Sequence, residues 1–280
     1  MKVKLWGTRG SIPTPGPETA RYGGNTSCVH VQDEAGTHIV LDAGTGIRRL
    51  GDSLENPGRV DLLLSHLHMD HIQGLGFFAP LYDADAEVHI WGPASTTQGL
   101  AGRLTRYLAP PLFPVLLRDL PCDLHLHEVP CGDFQIGRME VSAAMICHPG
   151  PTVGYRIVED GRVLAYLSDH EPALGMDRFE LATLEPDWTS GYELAEDADL
   201  LIHDAQYTEA EYAERVGWGH STIDQTLVFA QLARVKHLVA FHHDPARHDD
   251  ALYRVVSEAA QTRELPFRVT AGAEGDVFKL

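Results

Sequence analysis

Three histidines and an aspartate fall within the six positions of the stretch HLHMDH. These residues, His66, His68, Asp70 and His71, follow an apolar run that predicts a buried strand ending near Ser65. Open α/β sheets place their sites on such loops, beyond the carboxyl ends of strands. Imidazole nitrogens and carboxylate oxygens together suit zinc, manganese or iron. One ion needs only three or four ligands, so the motif predicts a pair of ions, with the first two histidines facing one and Asp70 and His71 facing the other.

Further candidate ligands follow later apolar runs. They are His148 after SAAMIC, Asp169 after LAYLS, and His242 and His243 after HLVAF. Each position alone is an ordinary place for a polar residue at the end of a strand. Together they repeat one position on several strands, and we expect them to complete a site for two ions. Since an aspartate can bridge two divalent ions, we expect Asp169 to be the bridging ligand.

The elements that must position these residues alternate between strands and helices, which indicates an α/β fold. Strands are predicted for VKL, SCVHVQ, THIVLDAG, VDLLLS, AEVHIWG, MEVSAAMICH, TVGYRIVED, RVLAYLSD, ADLLIHDA and VKHLVAFHH. Helical periodicity is clearest from Ser221 to Ala233 and from Asp249 to Ala260. The segment YLAPPLFPVLL, Tyr107 to Leu117, contains three prolines and cannot form a regular helix. It predicts a packed surface loop, with a lid or a subunit contact as the alternative.

Charge and composition bear on partners and location. The 22 basic and 40 acidic residues give a formal net charge of −18, a field that opposes a polyanion unless a basic groove compensates for it. This balance favours a small substrate, although it also serves solubility alone. No apolar run approaches the ~18 residues of a membrane span, and MKVKLWGTRGSIP lacks the features of a secretory signal. The four cysteines are scattered without a CxxC pair, which is typical of reduced thiols, so we expect a cytoplasmic location without membrane contact.

The quoted motifs resemble one known family. SHLHMDHIQGL is similar to the H-x-H-x-D-H signature of the metallo-β-lactamase fold, and VLDAGTGIRRLG resembles the loop that precedes the signature. ICHPGPTVGYRI, LAYLSDHEP and LVAFHHDP resemble its remaining ligand motifs in the expected order. The resemblance implies a four-layer αββα sandwich, here a single hydrolase domain over residues 1–280. It also implies two divalent ions at the sheet edge, with zinc expected first and manganese or iron as alternatives.

The C-terminal part narrows the resemblance to one branch of that family. GHSTIDQTLVFAQLARVKHLVAFHHDP resembles the tail of the tRNA 3′-processing endonucleases and their phosphodiesterase relatives. By this likeness His242 is the last ligand, with His243 as the alternative. The likeness also assigns catalysis to His220, which stabilises the phosphate and protonates the leaving oxygen, and to Asp204, which holds the imidazole in the right tautomer. Asp70 is counted among the catalytic residues as well as among the ligands.

His220 also has a physical argument of its own. Ser221 or Thr222 can cap the following helix, which leaves His220 at a positive helix end suited to an oxyanion. A weaker phosphate site is the glycine-rich stretch GTRGSIPTPGPETARYGGNTS, with its candidate substrate-binding residues Arg9, Arg21 and Asn25. The alternative for that stretch is a turn-rich lead into the first hairpin.

A second cluster of potential ligands occurs in CDLHLHEVPC, with its candidates Cys122, His125, His127 and Cys131. A structural zinc site is one interpretation. The spacing is not that of a familiar zinc finger, and the alternation equally predicts a strand with one exposed face.

The combined hypothesis is a dinuclear metal phosphodiesterase. Small substrates, above all cyclic nucleotides, are expected first, because no glycine- and Lys/Arg-rich segment resembles the tRNA-binding arm of the endonucleases. A nucleic-acid partner is accordingly expected to be absent, and a homodimer is left open. The alternatives are an RNA- or tRNA-processing endonuclease, a thioester or lactam hydrolase, and a metal-bearing sensor without turnover.

Overall fold

Two seven-stranded sheets stand at the centre of the computed structural model, which describes residues 1–129, 132–262 and 264–280. The strands are β1 (Lys2–Gly7), β2 (Cys28–Gln32), β3 (His38–Leu41), β4 (Arg59–Leu63), β5 (Glu87–Pro93), β6 (Asp123–Val129), β7 (Gly132–Ile136), β8 (Met139–Met145), β9 (Val153–Glu159), β10 (Arg162–Leu167), β11 (Leu200–Asp204), β12 (His237–Phe241), β13 (Arg268–Ala271) and β14 (Val277–Lys279). The first sheet has the order β14-β1-β2-β3-β4-β5-β6, and the second has the order β13-β12-β11-β10-β9-β8-β7.

The helices lie in the connections between strands. The α-helices are α1 (Ile47–Ser53), α2 (Met69–Ile72), α3 (Leu100–Tyr107), α4 (Arg178–Leu181), α5 (Tyr192–Ala195), α6 (Glu209–Tyr212), α7 (Ile223–Leu232) and α8 (Asp249–Gln261). Short 3-10 helices cover Pro17–Thr19, Leu75–Phe77, Ala79–Tyr82, Leu117–Asp119 and Pro186–Trp188. The two helices expected from periodicity are present as α7 and α8. Among the described residues, no helix is both long and apolar enough to span a membrane.

Apolar cores on the inner and outer faces of the two sheets divide the molecule into four layers. The inner core joins the facing sides of the two sheets, with Leu5 and Leu41 from the first and Tyr155 and Phe241 from the second. One outer core packs α1, α2 and α3 on the first sheet. Another packs α4, α5 and α7 on the second sheet. Each sheet is therefore covered on both faces, and the expected four-layer αββα sandwich is confirmed.

Strand direction explains why the candidate ligands can meet. β3, β4, β5 and β6 are parallel, as are β10, β11, β12 and β13. β8 pairs antiparallel with β9, and β9 pairs antiparallel with β10, so β8 runs in the direction of β10. The carboxyl ends of β8, β10, β11 and β12 therefore share one edge of the second sheet, where His148, Asp169, Asp204 and His242 lie.

The structure shows the conformation of two segments for which the sequence left alternatives open. The predicted loop Tyr107 to Leu117 begins on the last residue of α3 and ends on the first residue of a 3-10 helix. Between them, residues 108–116 form a loop that packs Leu108 and Phe113 into the outer core of the first sheet. Within CDLHLHEVPC, Asp123–Val129 forms β6, with Cys122 buried in the same outer core and His125 partly exposed. Cys131 lies outside the described residues, and Cys28, Cys122 and Cys147 are free thiols.

Candidate metal centre

The HLHMDH segment is positioned by a strand and one helical turn. β4 ends at Leu63, and α2 begins after His68, which is its N-cap in extended conformation. Asp70 and His71 lie within the turn and are buried, whereas His68 is exposed. The change from extended to helical backbone at His68 separates the four side chains into two pairs.

Two groups of ligand atoms result, and within each group all atoms lie within 4.8 Å of one another. The first, called the histidine half below, consists of His66, His68 and His148. The second, called the carboxylate half below, consists of Asp70, His71, Asp169 and His242. The structure thus brings together all seven side chains that the sequence singled out as ligands.

Asp169 follows β10 and, although it belongs to the carboxylate half, also faces the histidine half. Its Oδ1 is 3.0 Å from His71 Nε2 and 3.3 Å from His242 Nε2. Its Oδ2 is 3.7 Å from His66 Nε2 and 3.8 Å from His148 Nε2. One oxygen faces each half, which is the geometry that a bridging carboxylate needs.

The donor set fits divalent cations. His66 Nε2, His71 Nε2 and Asp169 Oδ1 are buried and lack a well-aligned hydrogen-bond partner among the described residues, although His71 Nε2 and Asp169 Oδ1 are 3.0 Å apart. Buried polar atoms are normally paired, so unpaired nitrogen and oxygen atoms facing a shared space favour metal coordination. Imidazole and carboxylate in these numbers are ligands for zinc and similar ions.

The charge of the centre points the same way. Burial raises the pKa of Asp169, but the imidazoles of His242 and His71 hold it well below its usual range. Burial lowers the pKa of His242, but the carboxylates, led by Asp169, raise it to about 10. The pKa of His71 is likewise raised well above its usual range, against the effect of burial, by Asp169 and Asp70. The carboxylates therefore hold positive charge on these imidazoles, and a divalent cation can replace those protons.

The choice between the two consecutive histidines follows from their environments. His242 points into the carboxylate half, with Nε2 3.1 Å from Asp70 Oδ2. His243 points away and donates from Nε2 to the Gly272 carbonyl at 2.8 Å. A Cβ on Gly10 would stand 2.5 Å from the His242 ring, so the chain needs glycine there for this imidazole to fit.

Asp42 supports the carboxylate half from behind. It is completely buried and accepts a hydrogen bond from His71 Nδ1 at 2.7 Å. It also accepts from the Ser65 amide at 2.7 Å and from the Tyr166 hydroxyl at 2.8 Å. The bond to Nδ1 fixes the tautomer of His71 and leaves Nε2 for a metal, as outer-shell carboxylates do for histidine ligands.

Glu171 supports the histidine half through a loop. Its buried carboxylate accepts from the Tyr212 hydroxyl and from the amides of Gly217 and Gly219, the latter at 3.0 Å. The Gly219 carbonyl accepts from His148 Nδ1 at 2.8 Å, which leaves Nε2 of that imidazole for a metal. Gly219 has φ of 84°, a left-handed conformation that favours glycine.

His220 and Asp204 form a pair beside the centre. His220 Nδ1 donates to Asp204 Oδ2 at 2.7 Å. Asp204 is completely buried, and its Oδ1 accepts from the amides of Gln206 and Ser221. The His220 ring lies 5.0 Å from the His242 ring and 5.2 Å from the His148 ring, between centroids, so it borders both halves. Thr222 is the N-cap of α7, which places His220 just before that helix.

Comparison with known proteins identifies the family. A model described as beta-lactamase superfamily domain matches residues 37–243, which include every ligand of both halves. The chain belongs to the beta-lactamase superfamily. Two curated relatives are both named Ribonuclease Z. The protein from Haloarcula marismortui is 26% identical over 302 residues, covering 92% of this chain and 91% of the relative. The protein from Thermococcus kodakarensis is 27% identical over 246 residues, covering 74% and 75%.

The fold of this superfamily member is shared by solved structures. The short form of human tRNase Z has a TM-score of 0.68 and 24% identity, covering 100% of this chain and 99% of that one. The family confirms the expected metal-dependent hydrolase, and it implies divalent metals that the two halves fit. The sensor alternative is thereby set aside.

One expectation about this beta-lactamase superfamily enzyme is wrong. We expected no nucleic-acid partner from the net charge, and the curated relatives named Ribonuclease Z contradict that expectation. The physical reason is that the net charge of −18 describes the whole surface, whereas a bound phosphate responds to the charges close to it.

Two of the three candidate substrate-binding residues are engaged in contacts within the fold. Arg9 is completely buried, and its guanidinium donates to Asp249 and to the carbonyls of Gly23, Asp244 and Arg247, so it is a structural link and not a phosphate ligand.

The other two candidates are Asn25 and Arg21. Asn25 donates from its side-chain amide to both oxygens of Glu274, at 3.1 and 3.0 Å. The Arg21 guanidinium lies 4.7 Å from the Tyr253 ring of α8. These contacts correct the expectation for Arg9 and Asn25, which join the N-terminal loop to the C-terminal part of the chain. Arg21 is exposed, and its role in binding a phosphate stays a prediction.

Two positioning residues were missed as such. Asp42 lies in VLDAGTGIRRLG, a motif that the sequence offered only as part of a resemblance, and its position after β3 was the available signal. Glu171 follows Asp169 by two residues, but nothing in the sequence indicates that it holds a glycine loop far along the chain.

Proposed function

We propose that the chain is an endoribonuclease that hydrolyses phosphodiester bonds in RNA, with tRNA precursors as its first substrate class. The observation that supports this most directly is the His220–Asp204 pair, 2.7 Å apart, beside a centre built for two cations. Thioester or lactam hydrolysis gives no evident task to such a pair. The Ribonuclease Z relatives, which cover most of the chain, favour RNA over cyclic nucleotides.

Zinc is the ion that this donor set favours first, held by the histidine half and the carboxylate half with Asp169 between them. When bound, two such ions would supply Lewis-acid chemistry, lowering the pKa of water and offsetting the negative charge on the phosphoryl oxygens. The protein's part is to hold the imidazole tautomers, through Asp42 on His71 and the Gly219 carbonyl on His148.

His220 acts on the leaving group. Its Nδ1 is fixed by Asp204, so Nε2 is the atom that can donate a proton to the departing oxygen. Asp204 is a positioning residue, and its own orientation is fixed by two backbone amides. An alkoxide leaving from RNA is a strong base, which makes a positioned proton donor valuable at this step.

Residues 1–280 serve as one hydrolase domain in this proposal. β1 and β14 pair antiparallel, so the two ends of the chain lie in the same sheet. Two divalent cations would add about four positive charges at the site, which is enough to anchor a phosphodiester locally despite an acidic surface.

The test compares substrates at equal salt and metal. We expect a tRNA precursor with a 3′ trailer to be cleaved internally with a higher kcat/KM than a cyclic mononucleotide. Asp169→Ala is the negative control, and hydrolysis of bis(p-nitrophenyl) phosphate checks that the wild-type preparation is active. Turnover of small diesters without cleavage of the precursor would contradict the RNA assignment and return the cyclic nucleotide hypothesis.

A further inference from the structure

A second histidine cluster lies on β5 and its neighbour β6, toward the amino-terminal ends of these parallel strands. The metal centre lies beyond the carboxyl end of β4. β5 and β6 pair in register, with Glu87 opposite Asp123, His89 opposite His125 and Trp91 opposite His127. Since alternate residues of a strand share a face, all of these side chains lie on one face of the sheet. It is the face of Trp91, whose ring stacks on Phe134 of the second sheet with centroids 4.9 Å apart.

His89 is the centre of this group. Its Nε2 is 2.6 Å from Glu87 Oε1, and its Nδ1 is 2.8 Å from His127 Nε2. The His125 ring stacks on the His89 ring with centroids 4.5 Å apart and planes 20° apart. Potential ligand atoms of Glu87, His89 and His125, called the edge cluster below, all lie within 4.8 Å of one another.

The surrounding contacts resemble the outer shell of a metal site. His127 holds His89 Nδ1, which leaves Nε2 directed at Glu87. Asp123 Oδ1 is 3.2 Å from His125 Nε2, so a carboxylate steadies one nitrogen of that ring. Partners of this kind fix the tautomer and orientation of histidine ligands.

The local charge also favours a cation. Arg59 is the nearby positive group, and it makes two hydrogen bonds to the buried carboxylate of Asp61, at 2.8 and 2.9 Å. Its distance to Glu87 is longer, 3.8 Å. Arg59 is therefore largely neutralised by Asp61, while Glu87 and Asp123 remain as negative charge beside the two imidazoles.

We propose that Glu87, His89 and His125 bind one divalent transition-metal ion, separate from the metal centre. This ion would link the edge strand β6 to β5. Two imidazoles and a carboxylate suit zinc, cobalt or nickel. An ion between Glu87 and His89 requires their ligand atoms to be about 3.3 Å apart, from bond lengths near 2.1 Å. Glu87 can make that small shift, because its side chain is 44% exposed.

The test measures bound zinc in the full chain after removal of metal with a chelator, reloading with zinc chloride and exhaustive dialysis. We expect wild type to hold about three ions and His125→Ala about two, with RNA cleavage unchanged. His125 is suitable because its side chain is 42% exposed, so its removal leaves the core intact. His248→Ala is the matched control, an exposed histidine paired with Glu18 that should keep the wild-type content.

A second comparison isolates the edge cluster from the metal centre. Asp169→Ala weakens the centre, so Asp169→Ala and Asp169→Ala/His125→Ala should differ by about one zinc ion. Zinc chloride should also raise the Tm of the single variant by a few degrees more than that of the double variant. Equal zinc content and equal Tm shifts in the two variants would overturn the proposal, whatever the substrate of the enzyme proves to be.

Discussion

The two halves of the metal centre are built differently. Every member of the carboxylate half is buried, and two of its four ligands are acidic. The histidine half has neutral ligands, one of which, His68, is exposed. A cation gains more from buried carboxylates than from exposed imidazole, because charge interactions weaken in water. The comparison predicts that the carboxylate half binds its ion more tightly.

The hydrogen bonds that orient the ligand side chains also differ between the two halves. In the carboxylate half, Asp42 holds His71, and the Ser11 amide donates to Asp70 Oδ2 at 2.7 Å. In the histidine half, the only hydrogen bond recorded for the His68 ring, among the described residues, is to His148. The other two imidazoles of the histidine half are held, because His148 Nδ1 donates to the Gly219 carbonyl and His66 Nδ1 lies 3.0 Å from Ser65 Oγ. The difference is therefore concentrated at His68, which we expect to depend most on its ion for its position.

The largest effect is expected from Asp169→Ala, which removes the group common to both halves. In a His125→Ala background, bound zinc should fall from about two ions to below one. RNA cleavage should fall by at least about 10³-fold, more than the 10–100-fold of an outer-shell change. Elemental analysis and kcat/KM are the measurements, and Asp160→Ala on an exposed turn is the control. Two retained ions with near-normal turnover would show that Asp169 does not bridge.

His68→Ala should separate the halves. It removes a ligand only from the histidine half, so about one ion should remain in the same His125→Ala background. The remaining ion should dissociate as slowly as the tighter ion of the parent when a chelator competes for zinc. Loss of both ions together would mean that the halves are not independent.

Asp42→Asn should weaken the carboxylate half without removing a ligand. An outer-shell partner of a histidine ligand contributes about 10–100-fold in metal affinity. We expect that loss for the tighter ion in a chelator titration, and a smaller loss for Tyr166→Phe, which removes one donor to Asp42. If Asp42→Asn affects only the weaker ion, its assignment to the carboxylate half fails.

Glu171→Gln should have the smallest effect, and only on the histidine half. The amide can still accept from the glycine loop, but the hydrogen bonds to a charged acceptor are lost. We expect a loss of a few-fold in affinity for the weaker ion, through His148, with the tighter ion unchanged. Equal weakening of both ions would point to general destabilisation instead.

The sequence could indicate which candidate ligands lie together, because their placement is local or repeated. HLHMDH places four ligands by itself, and the others follow strands whose carboxyl ends meet at one edge. Contacts between segments that are distant in the chain could not be predicted from the sequence. Arg9 and Asn25 are claimed by Asp249 and Glu274, from the other end of the chain.

The fold shows the same limit. The layers were predicted, but β7, β13 and β14 were not among the predicted strands. All three are edge strands, β14 in the first sheet and β7 and β13 in the second. Fewer of their residues are buried, so their apolar pattern is weak. The exclusion of nucleic acid as a partner was wrong for a different reason, because total charge contains no information about where the charges lie.

The most direct test of the account is the dependence of His220→Ala on the leaving group. His220 is not among the ligands of either half, so the variant should retain both ions of the centre. Its kcat/KM on RNA should fall by about 10²–10⁴-fold. An activated p-nitrophenyl diester needs no proton on its leaving group, so the fold-loss in kcat/KM on that substrate should be smaller by roughly a factor of ten or more. Asp204→Asn should show a weaker form of the same pattern. Equal losses on the two substrates, with metal content unchanged, would contradict proton donation by His220.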